Sequence, residues 1–238
     1  QIQDQIHRGA SVPGGFEAPM LAFAPHDYNS GSRPCGRRDE SIMAASFRTV
    51  GAVLFPGFEL LDVYGPLEMF GALPDAFRIV TLGRSAGPVA SAQGPRGVID
   101  RALEDPGPID VLLVPGGIGT RAAAADHALL AFLRGMQPSV EWLASVCTGA
   151  GVLAASGVLD GRRATTNKMV FDWPRRMGPR VHWVPEARWV VDGNIATSSG
   201  VTAGMDMALD LIARMHDEAT PGQVARHADR ALRRRAAE

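Results

Sequence analysis

From Phe47 onward, short unbroken apolar runs alternate with stretches in which apolar residues recur at helical spacing, and this alternation constrains the fold more than any other feature of the chain. Thr49-Val50-Gly51-Ala52-Val53-Leu54-Phe55 reads as a strand buried on both faces and stopped by Pro56-Gly57. Leu60, Leu61, Tyr64, Leu67, Met69 and Phe70 then follow a helical period, and Phe77 to Leu82 returns to β character. Ile109 to Val114 repeats the strand pattern, ends in Pro115-Gly116-Gly117, and precedes a helix running through Ala122 to Met136. Val140 to Val146 is another strand, and it passes through Cys147-Thr148-Gly149-Ala150 straight into a helix. A strand apolar on both faces needs cover on both. The sequence therefore predicts the α/β class, a doubly wound, mostly parallel sheet with helices on both faces.

The later part is more mixed. Gly161 to Thr166, Val181 to Val184, Trp189 to Val191 and Ile195 to Thr197 read as short strands, the last two joined by Asp192-Gly193, a hairpin signal. Thr202 is expected to cap a helix carrying Met205, Leu209, Ile212 and Met215, and Pro221 to open a final helix ending in Arg233-Arg234-Arg235. In residues 1–46, prolines and glycines such as Pro13, Gly14, Pro25 and Pro34 interrupt every apolar run. That segment is expected to be a disordered or non-native tail, with Met43 as a candidate natural start, ahead of a single α/β domain over residues 47–238. It lacks the pattern of a secretory signal, so a cytoplasmic location is the default expectation.

Composition narrows the function classes. With 24 Lys+Arg against 25 Asp+Glu, the chain has no basic field for a phosphate backbone, so nucleic acid is not an expected partner. No run approaches the roughly 18 apolar residues needed to cross a membrane. Cys35 and Cys147 are the only cysteines, too few for a disulfide framework or a four-thiolate metal site. Cys35 lies in the tail and is expected to have no function. His7, His26, His127, His182, His216 and His227 are scattered without paired spacing, so a metal site is not expected.

Ligands in open α/β sheets bind beyond the carboxyl ends of the strands. Cys147 sits at such an end, followed by small residues that allow a tight strand-to-helix turn, the geometry of a nucleophile elbow carrying a thiol. A helix N-terminus there would favour the thiolate. The alternative is a small buried hydrophobe. Pro115-Gly116-Gly117-Ile118-Gly119 could present the amides of Gly116 and Gly117, with that of Thr148, as an oxyanion hole, or could be an ordinary turn. Asp62, among apolar neighbours, is either a dipole-stabilised helix acid or a proton donor with a raised pKa. No histidine follows a strand end, which argues against a hydrolytic Cys-His dyad.

These residues carry a resemblance. Leu54-Phe55-Pro56-Gly57, Leu61-Asp62-Val63-Tyr64-Gly65-Pro66, Val114-Pro115-Gly116-Gly117, Ser145-Val146-Cys147-Thr148-Gly149-Ala150, Ala164-Thr165-Thr166 and Gly200-Val201-Thr202-Ala203-Gly204-Met205-Asp206 resemble the ThiJ/PfpI superfamily, related to class I glutamine amidotransferases and flavodoxin-like in fold. Thr148 after the cysteine and Asp62 make the chain most similar to the isonitrile (isocyanide) hydratase branch, whereas the intracellular proteases carry His after the cysteine. The resemblance implies Cys147 as nucleophile, Asp62 as the acid contacting its sulfur, and the amides of Gly117 and Thr148 as charge stabilisers. It implies a cofactor-independent hydratase that converts a small isocyanide to an N-substituted formamide. Two other readings stand beside it, a thiol-based oxidative-stress sensor without turnover and a glyoxalase III-like enzyme acting on methylglyoxal. After Ala164-Thr165-Thr166, many relatives have His where this chain has Asn167 and Lys168, and these join Ile118 as pocket candidates. A homodimer is implied, with Trp173 or Trp183 at its interface if they are not packed within the chain. A helix-turn-helix region like that of the superfamily's regulators is not expected after Ala219.

Overall fold

A computed structural model describes residues 47–217 and 219–228. Expectations about the N-terminal tail and Arg233-Arg234-Arg235 lie outside the described residues. The chain runs β1 (Arg48–Val53), α1 (Leu60–Gly71), β2 (Phe77–Gly83), β3 (Gly87–Ala90), β4 (Arg96–Ile99), β5 (Arg101–Ala102) and β6 (Val111–Val114). It continues through α2 (Thr120–Ala123), α3 (His127–Met136), β7 (Trp142–Val146), α4 (Gly149–Ser156), β8 (Arg163–Ala164), α5 (Asp172–Met177) and β9 (His182–Trp183). β10 (Trp189–Asp192), β11 (Ile195–Ser198), α6 (Val201–Met215) and α7 (Thr220–His227) complete it.

The main sheet has the order β10-β11-β7-β6-β1-β2-β5. Every pairing in it is parallel except the β10–β11 hairpin. From β1 the chain steps outward to β2, then returns to β6 and moves the opposite way to β7 and β11. Right-handed crossovers in opposite directions place their helices on opposite faces. α1 accordingly packs with α6 on one face, and α3 with α4 on the other. The order reversal lies between β1 and β6, and both β6 and the end of β7 are fully buried there.

Several elements differ from the sequence expectation. The helix expected through Ala122 to Met136 is two helices, because Asp126 Oδ1 accepts from the amides of Ala128 (3.0 Å) and Leu129 (3.2 Å) and starts α3 anew. The strand expected over Gly161 to Thr166 shrinks to β8, which pairs with β9 outside the main sheet. Thr202 does not cap α6. Gly200 holds that position, and the Thr202 hydroxyl accepts from Arg188 Nη2 at 3.1 Å. The β3–β4 hairpin and α5 were not legible as elements in the sequence.

Candidate active site

Cys147 stands one residue beyond β7 with φ +57°, making it the non-glycine residue with positive φ among those described. An L-residue held there is strained unless its surroundings fix it. Here its N–H donates to Ser198 O of β11 (3.0 Å), and its carbonyl accepts from the buried Thr166 hydroxyl (2.8 Å). Thr148 follows as the residue preceding the first turn of α4. The turn is the elbow that Cys147-Thr148-Gly149 predicts.

Asp62 is brought to the sulfur from the first turn of α1, fully buried. Its Oδ2 accepts from the Gly116 amide at 3.0 Å, while Oδ1 is buried without a hydrogen-bond partner among the described residues. The Cys147 side chain lies close enough to this carboxyl group for each to shift the other's pKa. Burial pushes Asp62 up to about 7, helped by the nearby negative charge of Glu59 and opposed by the Gly116 amide and the thiol. Burial also pushes the Cys147 thiol up to about 11, with the Asp62 charge adding to it. The side-chain amide of Asn167 and the N–H and hydroxyl of Thr148 pull it back only partly. The helix N-terminus was expected to favour the thiolate. Burial and a neighbouring acid outweigh it, so the resting group is a thiol.

Asn167 Nδ2 donates to Cys147 Sγ at 3.1 Å, and its own Oδ1 accepts from the Met169 amide (2.9 Å), which fixes the orientation of the side chain. Lys168 is not brought to the sulfur. Its ammonium donates to Thr165 Oγ1 and Ala187 O, each at 2.6 Å, and burial lowers its pKa against the opposing charge of Glu186. Ile118 projects into solvent, 69 % exposed. The Gly116 amide is engaged by Asp62, and the Gly117 amide by the Thr148 hydroxyl (3.1 Å). Gly117 has φ +113°, and a side chain there would collide with the backbone of Gly57 and Glu59, so the loop approaches this closely only as glycine.

Sequence reasoning missed Thr120, fully buried, whose hydroxyl donates to Gly117 O at 2.7 Å and meets Thr148 Oγ1 at 3.3 Å. A small hydroxyl residue at the foot of a helix after a glycine turn was the available signal. It also missed Gln93, which accepts from the Leu60 amide (3.2 Å) and donates to Glu59 Oε1 (2.7 Å), steadying the turn that carries Asp62. That pair is 34 residues apart and leaves no sequence signal. Among the described residues no group of three or more His, Cys, Asp or Glu converges as a metal site, and no helix is long and apolar enough to cross a membrane.

The model of the DJ-1/PfpI family matches residues 48–214, most of the chain and all of the site just described. The chain belongs to the DJ-1/PfpI family. Within this DJ-1/PfpI group, the isonitrile hydratase of Pseudomonas putida is 37% identical over 163 residues, covering 68% of this chain and 69% of that protein. The HTH-type transcriptional regulator CdhR of Pseudomonas aeruginosa is 33% identical over 177 residues, covering 73% of this chain. The match spans about half of the regulator, 52% of its length. Among solved structures, a ThiJ/PfpI family protein from Pseudomonas syringae superposes with a TM-score of 0.71 at 30% identity, covering 82% of each chain. The flavodoxin-like sheet expected from the resemblance is thus the DJ-1/PfpI sheet.

Proposed function

We propose that the chain is a cofactor-independent hydratase in which Cys147 attacks a small electrophile and Asp62 carries the proton, an isocyanide being the leading substrate class. The observation that carries this reading is the buried Asp62–Cys147 pair, an acid raised to about 7 beside a thiol raised to about 11. Such an acid both takes and returns a proton near neutral pH. The 37% identity to an isonitrile hydratase supports the choice of substrate.

In this mechanism the Cys147 thiol proton passes to Asp62 as sulfur bonds to the terminal carbon of the isocyanide. Asp62 then protonates that carbon, giving a thioformimidate. Water adds to the carbon, one of its protons going to nitrogen. The carbon–sulfur bond breaks with the second proton moving to sulfur, which releases the N-substituted formamide and restores the thiol. The Thr148 hydroxyl and amide and the Asn167 amide face the sulfur and would steady charge on it. Gly116 holds the acid, and the Gly117 amide becomes available to an adduct when the Thr148 hydroxyl turns away.

Oxidative sensing calls for a thiolate near neutral pH, and the raised thiol pKa stands against it. Glyoxalase III-like chemistry calls for a histidine near the thiol, and Asn167 occupies that side of the sulfur. Mixing p-nitrophenyl isocyanide with the protein and following the ultraviolet change tests the reading. Catalytic formamide formation by the wild type and none by Cys147→Ala is the expected result; no turnover by either removes it. A homodimer is proposed with this activity. Trp173 lies under the Arg121 guanidinium (4.3 Å) and Trp183 donates to Gly178 O (3.1 Å), so both engage their own chain, while Met169 is 94 % exposed and is the better interface candidate.

A further inference from the structure

A second cleft, of about 370 Å³, opens over the carboxyl ends of β1 and β2. Its floor includes Val53, Leu54, Ile99, Leu103 and Leu129, all buried, and its rim carries Arg84, Ser85 and Ala86 facing Asp126. Cys147, Asp62, Thr148 and Asn167 do not line it. The volume lies within the range of sites for small organic ligands, and an apolar floor with a few polar groups at one edge is how such sites are built.

The rim is asymmetric in what it offers. Asp126 Oδ1 is already taken by the amides of Ala128 and Leu129 at the start of α3. Arg84 Nη1 is ion-paired with that oxygen at 3.6 Å, a separation beyond hydrogen-bond reach, and the arginine side chain is 57% exposed. Asp126 therefore orients the guanidinium without using up its donors. The backbone amides of Ser85 and Ala86 beside it donate to no carbonyl among the described residues. The free capacity at the edge of an apolar cleft is a planar fork of donors with adjacent amides, which matches a carboxylate.

We infer that this cleft is a second ligand site, separate from the thiol, that takes a small monocarboxylate with an apolar body. The carboxylate lies on Arg84 and the Ser85–Ala86 amides, and the body, a phenyl ring or short branched alkyl group, lies on Leu103 and Leu129. The inference does not rest on the hydratase reading. Phenylacetate titrated into the full chain, followed by amide nuclear magnetic resonance, tests it, with phenylacetamide as the uncharged control. Saturable shifts at Ser85, Ala86 and Leu129, with Thr148 and Asn167 unmoved, are expected. Phenylacetamide and the Arg84→Gln variant with phenylacetate should each bind about tenfold more weakly, since a charge-assisted bond is lost. Ala122→Phe, at an exposed helix position on the cleft edge, should block both compounds and keeps the test independent of Arg84. Shifts centred on Thr148 and Gly117, equal affinity for acid and amide, or no saturation at millimolar concentration would each overturn the inference. So would concentration-dependent shifts at Ser85 and Ala86 without ligand, which would assign the face to a second copy of the chain.

Discussion

The two walls of the thiol site act on the sulfur in opposite senses. The wall from α1 is an acid, Asp62, buried with one oxygen unpartnered among the described residues and with Glu59 nearby, and its charge pushes the Cys147 pKa up. The wall after β8 is a donor, Asn167, locked by the Met169 amide, and it pulls the same pKa down. The comparison teaches that a buried thiol set beside an acid rests protonated even where a donor on its other side favours the ion. A buried acid poised near neutrality keeps the proton close, and the donor wall lightens the cost of its departure.

Removing the group both walls serve is the strongest way to break the contrast. Cys147→Ala should lower isocyanide turnover by about a thousandfold or more, measured as formamide formed. Asp62→Asn keeps the shape of its wall and removes the charge, and turnover should fall by about a hundredfold or more. The same variant should shift the pH midpoint of iodoacetamide alkylation of Cys147 to below about 11, the opposite of what loss of a helpful base would do. Its stability should change with a definite sign. Because Asp62 is raised in the folded state from 3.8 to about 7, its favourable contribution is complete below pH 3.8 and is lost as pH rises through about 7. Ionising it in place costs about 4 kcal/mol at most, so Asp62→Asn should gain up to that amount over wild type in urea unfolding at pH 9 and little at pH 4.

Smaller changes sharpen the comparison. Asn167→Ala takes the donor from the sulfur, so the alkylation midpoint should rise, by roughly the half to one unit that a bond of about 1 kcal/mol represents. A midpoint that falls would mean the donor wall does not stabilise the ion. Gln93→Ala frees Glu59 from its place beside Asp62. The acid limb of the turnover profile should then move to lower pH by less than about one unit, since only a half-buried charge at the edge of the site moves away. An unchanged limb would mean Glu59 stays near Asp62 without Gln93.

The strands β1, β6 and β7 were legible because each is apolar on both faces, which few alternatives satisfy. Cys147 and Asp62 were legible from their neighbours, small residues after a strand in one case and a lone acid among apolar residues in the other. The approach of Asn167 to the sulfur across 20 residues was open in the sequence only as a pocket candidate, since residue type does not say where an amide points. Lys168 illustrates the reverse, an attractive charge beside the site whose ammonium is drawn off by Thr165 and Ala187. The split between α2 and α3 was hidden because the alanines around it have high helix propensity, and a single cap at Asp126 decides the break.

The positive φ of Cys147 has a consequence for how this chain would respond to selection. A left-handed backbone costs an L-residue about 1–2 kcal/mol that glycine does not incur. Screened for heat resistance alone, a library of this sequence should be drawn toward glycine at 147. Screened for the proposed turnover, it should hold a residue that its own backbone disfavours, and the distance between those two outcomes would measure how much robustness the chain gives up to keep a thiol at that turn.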